Sequence, residues 1–349
     1  MNLSHLRYLA VYTTPFIVLF SIYSASIWSY SAVVLIFCII PFIELFTKGS
    51  EINLSQAQEE KVKKSLFFDL LLYGLVPLQY ITLVFFIFQL HSSPHPLYVK
   101  LGITIAYGMA CGGIGINAAH ELGHRTTRYE QLMSKMLLLT TLYMHFFIEH
   151  NRGHHKNVST DKDPSSSRHG EGIYSFYFRS IIGSWLSAWS LEKELLKRKN
   201  KRFWSIHNQM LRFQIIQLAL VTSIAIFFGL EILVLFMISS LIGALILETV
   251  NYIEHYGLSR KKKGAHYERT KPIHSWNSNH PIGRLLLLEL SRHSDHHYMA
   301  NRKYQTLRHF KESPQMPTGY PGMMLLALFP PLWFKVMHKQ IKKFNNSLD

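Results

Sequence analysis

The sequence has few cysteines and few charged residues for its length. Among 349 residues the only cysteines are Cys38 and Cys111, which lie far apart inside apolar runs. This spacing excludes a CxxC zinc or iron–sulfur site and argues against a disulfide framework. Charged residues make up 17% of the chain, whereas roughly 25% is usual in soluble domains. The sequence therefore contains no cysteine-bound electron carrier, and its composition is unlike that of a soluble protein.

The sequence contains long apolar runs with few or no charged residues. A helix needs about 20 apolar residues to cross a bilayer, and the sequence offers six candidate spans, at about 8–28, 32–46, 66–90, 97–119, 213–229 and 232–252. The N-terminal run lacks an A-x-A-like cleavage site, so it is interpreted as the first span and not as a signal peptide. We therefore expect an all-α integral membrane protein, a single domain over 1–349. It would have six transmembrane helices and a cytoplasmic histidine-rich catalytic cap formed by 120–210 and 253–349.

The charges that are present carry an excess of one sign. The 37 Lys and Arg residues exceed the 21 Asp and Glu residues, which gives a formal net charge of +16. If the three short turns between successive spans share one face, Lys100 is the only basic residue there, so the positive-inside rule makes the other face cytoplasmic. Both termini and both large polar regions would lie on that face. Topology and contact with membrane lipids thus explain the charge excess, and no nucleic-acid-binding module is recognisable.

The two large polar regions are expected to fold on the cytoplasmic side. Within 120–210, the pattern predicts a moderately apolar helix at 132–148 and a polar loop at 157–172. The segment 173–196 is amphipathic and rich in aromatic residues, which is typical of a helix that lies at the membrane interface. The region 253–349 is polar and basic apart from two short apolar runs.

Four short histidine motifs end spans or follow them. They read HELGHR from His120, EHNRGHH from Glu149, NYIEHYG from Asn251 and LSRHSDHH from Leu290. They contain nine of the 20 histidines, namely His120, His124, His150, His154, His155, His255, His293, His296 and His297. Five polar neighbours are candidates to accept hydrogen bonds from the imidazoles or otherwise support them, namely Glu121, Glu149, Asn251, Glu254 and Asp295. The alternative for the carboxylates is simple solvation beside a basic face.

Histidines in this number and arrangement predict metal binding. If the last motif is helical, spacings of three and four place His293, His296 and His297 on roughly one face. HELGH alone resembles the HExxH signature of zinc proteases. A tetrahedral zinc uses only three or four protein ligands, however, so nine imidazoles favour two metal ions that share the set. Histidine binds zinc, copper, iron and nickel alike, and the residues alone do not choose among these metals.

The four motifs resemble the histidine boxes of the integral-membrane alkane 1-monooxygenase family, within the wider membrane fatty-acid desaturase and hydroxylase superfamily. Three further segments are similar to that family, at 161–180, 267–297 and 315–337. The chain departs from the usual motifs where Ser291 and Tyr298 flank the last one, and where Arg125 stands in place of the usual Lys.

The resemblance implies a membrane-bound monooxygenase with two non-haem iron ions, for which the nine histidines would be the ligands and catalytic residues. It implies O2 as co-substrate and hydroxylation of a terminal C–H bond of an alkane-like substrate taken from the lipid phase. Electrons would come from a separate rubredoxin or ferredoxin with its reductase. The location implied is a bacterial inner membrane, with the active site and both termini cytoplasmic.

Other functions stay open at this point. Within the same superfamily the chain could be a xylene-type methyl hydroxylase, a fatty-acid hydroxylase or a desaturase. A metal transporter, with histidines as transit ligands, is an alternative of another class. Transport sites usually lie near the middle of the membrane, whereas these histidines are expected at one face, so the enzyme classes are favoured.

Overall fold

Helices make up most of the structure, a computed structural model that describes residues 3–347. In the first part of the chain, α1 to α7 are Leu3–Leu6, Thr13–Ser24, Ile27–Phe46, Gln56–Lys63, Leu66–Ser92, Leu97–Gly123 and Arg128–Leu139. In the middle, α8 to α12 are Phe146–Glu149, His155–Asn157, Ile173–Arg198, Gln209–Phe228 and Leu230–His255. Towards the C-terminus, α13 to α16 are Pro281–Leu286, His293–Tyr298, Tyr320–Ala327 and Pro330–Asn345.

Turns of other geometry interrupt or join these helices. A two-stranded antiparallel hairpin follows α12, with β1 at Lys262–Lys263 and β2 at His266–Tyr267. The 3-10 turns outside the spans are Arg7–Tyr12, Pro272–His274 and Tyr304–Thr306. Turns of π-helix occur at Leu35–Ile39 in α3, at Cys111–Ile116 in α6, and at His150–His154 between α8 and α9. Such turns are rare and often mark functional sites, and the last two lie just before or within a histidine motif.

Five helices are long and apolar enough to cross a membrane, namely α3, α5, α6, α11 and α12. They match five of the six expected spans, and the prediction of a helical integral membrane protein is confirmed. The remaining segment, 8–28, is helical but divided. The 3-10 turn Arg7–Tyr12 passes into α2, and the chain then turns at Ala25, whose φ is +41°. No single α-helix therefore runs through this segment.

The two spans with histidines near their C-terminal ends, α6 and α12, pack closely side by side. A Cβ on Gly108 would lie 2.6 Å from Cγ2 of Ile242, and one on Gly112 would lie 2.7 Å from Cγ2 of Ile246. Small residues permit this approach in membranes, where helices associate through van der Waals contact and not through the hydrophobic effect. The contact brings the C-terminal ends of both spans to one end of the bundle, called here the histidine face and defined by His120 and His255.

The helix expected at 132–148 is interrupted. The chain leaves α7, turns, and enters α8, and Leu142 within the turn has a φ of +52°. The neighbouring spans hold this turn in place: the hydroxyl of Tyr107 donates to the carbonyl of Thr140 at 2.9 Å. The hydroxyl of Tyr143 donates to a buried carboxylate of α12. The prediction of one helix is wrong because tertiary contacts override the apolar pattern.

The polar regions fold across the histidine face. The helix expected at 173–196 is present as α10, and 157–172 contains only a short end of helix followed by loop and turns. The C-terminal region shares a second buried core, which includes Trp276, with residues of α10 and α12. It is fastened to the spans at the end of α3, where Oε1 of the buried Glu44 accepts the backbone N–H of Gly283 in α13 at 2.8 Å.

Gly112→Ala should destabilise the protein, because the added Cβ meets Ile246 at 2.7 Å and the carbonyl oxygen of Gly243 at 3.1 Å. Overpacking costs about 1–3 kcal/mol, more than the gain of at most about 1 kcal/mol from replacing a helical glycine. Gly113→Ala is the matched control, since its Cβ meets nothing closer than Cγ2 of Thr14 at 3.7 Å. Thermal unfolding in detergent should give a lower Tm for Gly112→Ala than for the control. Equal midpoints would contradict the close contact.

Candidate metal centre

The nine motif histidines lie together at the histidine face in two adjacent groups. The five-histidine group consists of His120, His124, His150, His155 and His296. The four-histidine group consists of His154, His255, His293 and His297. Within each group, one ring nitrogen of every residue lies within 4.8 Å of those of the others. Four separate segments of the chain thus converge on one place.

The Nε2 atoms of the five-histidine group form a chain of close contacts. Four distances of 2.9–3.0 Å join them in the order His120, His296, His155, His150 and His124. A nitrogen of a neutral imidazole carries either one hydrogen or one lone pair, so it can take part in only one hydrogen bond. At most two of the four contacts can then be hydrogen bonds. The other close approaches bring lone pairs together, an arrangement that a shared cation would stabilise.

The spacing of the nitrogens also suits ligands around a metal ion. Imidazole nitrogens bind divalent transition metals at about 2.0–2.1 Å, so two of them at a right angle are about 3 Å apart. In the four-histidine group, the Nε2 atoms of His154 and His297 are 3.2 Å apart, as are those of His255 and His293. Both groups therefore have the donors and the spacing that a metal ion needs.

Burial keeps most of these imidazoles in the form that binds metal. Burial lowers the pKa of His124 to about 3, and the nearby charges of His154 and Arg125 add to the shift. Burial and neighbouring histidines also lower the pKa values of other members, namely His150, His155, His293, His296 and His297. A lowered pKa leaves the ring neutral at pH 7, with a lone pair available to a cation.

His154 differs from these residues in the direction of its pKa. Burial by itself lowers that pKa, but the carboxylate of Asp163 raises it by charge and by a hydrogen bond, and the net pKa is raised. Nδ1 of His154 lies 2.9 Å from Oδ2 of Asp163. A hydrogen on Nδ1 is shared with the carboxylate, which fixes the ring so that its Nε2 faces the four-histidine group.

The π-helical turn explains why adjacent histidines join different groups. In a π-helix the hydrogen bond runs from residue i+5 to residue i, and here the backbone N–H of His155 donates to the carbonyl of His150. Residues five apart therefore lie one above the other, and the Nε2 atoms of His150 and His155 are 3.0 Å apart. His154 is rotated away from them and points to the four-histidine group.

Helix α14 divides its histidines between the two groups as well. His293 and His297, four residues apart, belong to the four-histidine group, whereas His296 belongs to the five-histidine group. The three side chains do lie close together, as expected for a shared face. The helix is only six residues long and lies between the two groups, so one face of it contributes histidines to each group.

Comparisons with known proteins agree with this geometry. The sequence model of the fatty acid desaturase family matches residues 94–338. The chain is 39% identical to alkane 1-monooxygenase 1 of Alcanivorax borkumensis, over 89% of this chain and 76% of that protein. It is 40% identical to the alkane 1-monooxygenase of Acinetobacter baylyi, over 87% of this chain and 74% of that protein. The chain belongs to the alkane 1-monooxygenase family.

A more distant relative within the same superfamily is the hydroxylase component of the xylene/toluene monooxygenase of Pseudomonas putida. It is 31% identical over 70% of this chain and 64% of its own length. As a member of the alkane 1-monooxygenase family with two groups of converging histidines, the protein is a membrane oxidoreductase with a metal site.

In this member of the alkane 1-monooxygenase family an apolar cavity leads from the spans to both histidine groups. Side chains of α3, α6 and α12 line its walls, among them Ile36, Phe37, Met109, Ile246, Leu247 and Val250. At the histidine face the cavity is lined by His120 and His150 from the five-histidine group, by His293 from the four-histidine group, and by Glu254. A hydrophobic ligand in this cavity would contact both groups.

Two of the acidic residues expected to support the imidazoles are held by arginines instead. Oε1 of Glu121 lies 2.8 Å from Arg125, and Oδ2 of Asp295 accepts the backbone N–H of Arg308 at 2.8 Å. Asp295 also lies 3.4 Å from the Arg308 guanidinium. Charge-assisted hydrogen bonds are roughly twice as strong as neutral ones, so a guanidinium competes better for a carboxylate than a neutral imidazole does. These residues fasten the motif helices to neighbouring segments.

The other three polar neighbours differ from one another. Glu149 accepts a hydrogen bond from a serine hydroxyl, and Asn251 donates to Glu248 at 3.3 Å. Oε2 of Glu254 lies 3.1 Å from Nε2 of His293. Within residues 3–347, Glu254 is thus the one member of the expected set found in contact with a ring nitrogen of the nine histidines.

Asp163 is a supporting residue that the sequence analysis missed. It is buried, and backbone and side-chain groups of Ser165 and Ser166 fix its carboxylate at 3.0 Å and 2.6 Å. It lies nine residues after His154. The available signal was a carboxylate followed by Pro and serines, which is typical of a turn closed by an Asp side chain. Nothing in that signal indicates that the turn folds back on a histidine motif.

Asp163→Asn should loosen the metal site, because the charge that holds the ring of His154 is removed. Loss of such a partner typically costs about 10–100-fold in metal affinity. Asp161→Asn is the matched control. Asp161 is exposed, and within the part of the chain that the structure describes its carboxylate accepts only a long hydrogen bond of 3.4 Å from the hydroxyl of Tyr267. Metal retained during a chelator titration, measured by elemental analysis, should fall for Asp163→Asn only. Equal retention by both variants would remove the role assigned to Asp163.

Proposed function

We propose that the protein is a membrane-bound non-haem di-iron monooxygenase that hydroxylates a terminal C–H bond of an alkane-like hydrophobic substrate with O2. The observation that carries the proposal is an apolar cavity that meets two groups of mostly buried histidines. The names of the relatives at 39% and 40% identity support the reaction and the substrate class.

The five-histidine group would hold one iron and the four-histidine group the other, so that all nine histidines serve as ligands. When bound, the iron supplies the reductive activation of O2, with one oxygen atom inserted into the C–H bond and the other released as water. The protein supplies position and environment. Asp163 orients His154, burial keeps the ligands unprotonated, and the apolar wall keeps water from the reacting end of the substrate.

The cavity favours attack at the end of a chain. Apart from the histidines and Glu254, its lining side chains are apolar except for Thr14, Asn117 and Asn251, so an extended hydrocarbon would be held mainly by shape and burial. Only the end of the cavity at the histidine face carries metal-binding groups, contributed by His120, His150 and His293. A linear substrate that enters from the lipid would therefore present its terminal carbon to the metal.

The topology proposed has six crossings with the histidine face in the cytoplasm of a bacterial inner membrane. The sixth crossing would combine the 3-10 turn Arg7–Tyr12 with α2. Six residues at about 2.0 Å and twelve at about 1.5 Å add up to about 30 Å, the thickness of the hydrocarbon core. At the opposite end of the bundle, Lys100 forms an ion pair with Glu231. Lys100 would be the only Lys or Arg at that face among residues 3–347, in agreement with the positive-inside rule.

His296→Ala should abolish product formation and deplete iron. Nε2 of His296 links those of His120 and His155 in the five-histidine group. Loss of a residue that only supports a ligand lowers metal affinity by up to about 100-fold. Loss of a ligand itself should lower it further. His207→Ala is the control, because His207 is an exposed residue outside the four motifs. Iron per chain and alcohol from cells fed with alkanes are the measurements.

A variant that keeps its iron and its alcohol product would contradict this assignment of His296. The same variant separates the enzyme from a metal transporter, which would show changed metal uptake and no oxygenated product in either form of the protein.

A xylene-type methyl hydroxylase is the second candidate, favoured by the relative at 31% identity. Cells that express the protein can be fed a mixture of alkanes, alkenes, xylenes and fatty acids under labelled O2. A labelled terminal alcohol of the alkane supports the main proposal, and a labelled benzylic alcohol supports the second candidate. A new double bond without label would indicate a desaturase.

Electrons would come from a separate rubredoxin or ferredoxin with its reductase. A depression on the surface of the protein exposes part of His124 beside Arg125 and Arg152. With a net charge of +16, the protein is suited to an acidic carrier, because complementary charge speeds the encounter of two proteins. His124 would be the ligand nearest to a donor bound there.

Turnover with purified rubredoxin and its reductase should depend on ionic strength. The Debye length falls from about 30 Å at 0.01 M to about 8 Å at 0.15 M salt, so kcat/KM for the donor should fall roughly tenfold over this range. Arg152→Gln should weaken the dependence, whereas Arg198→Gln, at an exposed arginine outside the depression, should leave it unchanged. A rate that does not respond to salt would remove the support for electrostatic docking.

A further inference from the structure

Glu254 is a buried carboxylate without a basic partner. It lies in the last turn of α12 and is 1% exposed. One oxygen, Oε1, accepts the hydroxyl of Tyr320 at 2.8 Å. Across the described range 3–347, no Lys or Arg forms an ion pair with it. A buried charge without a counter-ion is costly, so this carboxylate needs a cation or a proton.

The other oxygen of Glu254 faces the four-histidine group. Oε2 lies 3.1 Å from Nε2 of His293, and that same Nε2 lies 3.2 Å from Nε2 of His255. A neutral imidazole nitrogen has one hydrogen or one lone pair, so it can satisfy only one of these two contacts. A metal ion bound by His255, His293 and the carboxylate satisfies all three atoms at once.

The two histidine groups differ in their number of donors. The five-histidine group offers five nitrogens and the four-histidine group offers four. Glu254 would raise the second group to five donors. Non-haem iron accepts mixed sets of imidazole and carboxylate ligands, so the chemistry of the donors permits this addition.

We propose that Glu254 is a carboxylate ligand of the metal held by the four-histidine group, bound from the side of the substrate cavity. Glu254 lines the cavity together with His293, and it lies outside the compact set of four nitrogens. It is therefore a donor at the cavity wall beside His293, positioned through its second oxygen by Tyr320. The inference rests on the proposed function, because it assumes one iron in each group.

The test is Mössbauer spectroscopy of the purified, reduced protein loaded with 57Fe, together with iron content per chain. Glu254→Gln keeps the shape of the side chain and removes its charge. We expect one of two equal-area components to change its isomer shift and quadrupole splitting. Because Gln keeps a neutral oxygen donor, the loss of affinity should be smaller than for a deleted ligand: that component should lose iron to a chelator at least about tenfold more readily. Glu254→Asp should restore part of both properties.

Glu248→Gln is the matched control. Glu248 is also a buried carboxylate of α12, but its contacts are Tyr143, Ser180 and Asn251, and none of the nine histidines. The Mössbauer spectrum of Glu248→Gln should equal that of the wild type. A wild-type spectrum and wild-type iron content in Glu254→Gln would overturn the inference.

Tyr320→Phe provides a second variant should Glu254→Gln fail to fold. Loss of the hydroxyl frees Oε1 of Glu254, so a smaller change in the same component is expected, and no change would count against the inference. The iron content of the wild-type protein separates a failure of this inference from a failure of the proposed function. Fewer than two irons per fully loaded chain would refute the di-iron site whatever Glu254 does.

Discussion

The crowding of imidazole nitrogens at the histidine face is the constraint on which the rest of the structure depends. Four Nε2 contacts of 2.9–3.0 Å cannot all be hydrogen bonds, and the rings involved are mostly buried and neutral. Lone pairs that face each other without water or protons are unfavourable. Assembly of the face and binding of a cation are therefore one coupled process, and the fold must hold the four motifs together against their mutual repulsion.

Buried and partly buried ion pairs beneath the motifs supply part of that restraint. Asp69, at the start of α5, lies 3.1 Å from Arg125 in the first motif and 2.8 Å from Lys303 after the last one. Arg125 also pairs with Glu121. The attraction within a buried ion pair offsets the cost of desolvation only when several good contacts satisfy each charge. Here each guanidinium or carboxylate has more than one partner. The network joins a span and two histidine motifs that are distant in sequence.

The sequence was sufficient to predict what depends on composition and local pattern, but not what depends on tertiary contact. Apolar length located five spans, because crossing a bilayer sets a minimum run of apolar residues. Apolar pattern failed at 132–148, where hydrogen bonds from Tyr107 and Tyr143 stabilise a turn. It also gave no sign that a π-helical turn would separate His154 from His155. Asp163 was missed because its role exists only once its turn packs against His154.

The two sides of the histidine face suit opposite requirements of an oxidation that uses external electrons. An electron donor needs a polar surface, and His124 is half-buried beside arginines at such a surface. The substrate needs a dry passage, and His120, His150 and His293 face the apolar cavity. The five-histidine group contributes residues to both sides, whereas the four-histidine group meets the cavity through His293. Electrons would therefore reach the five-histidine group first. The rings of His155 and His297, one from each group, are 4.5 Å apart between their centroids, so metals bound in both groups would be close enough to share them.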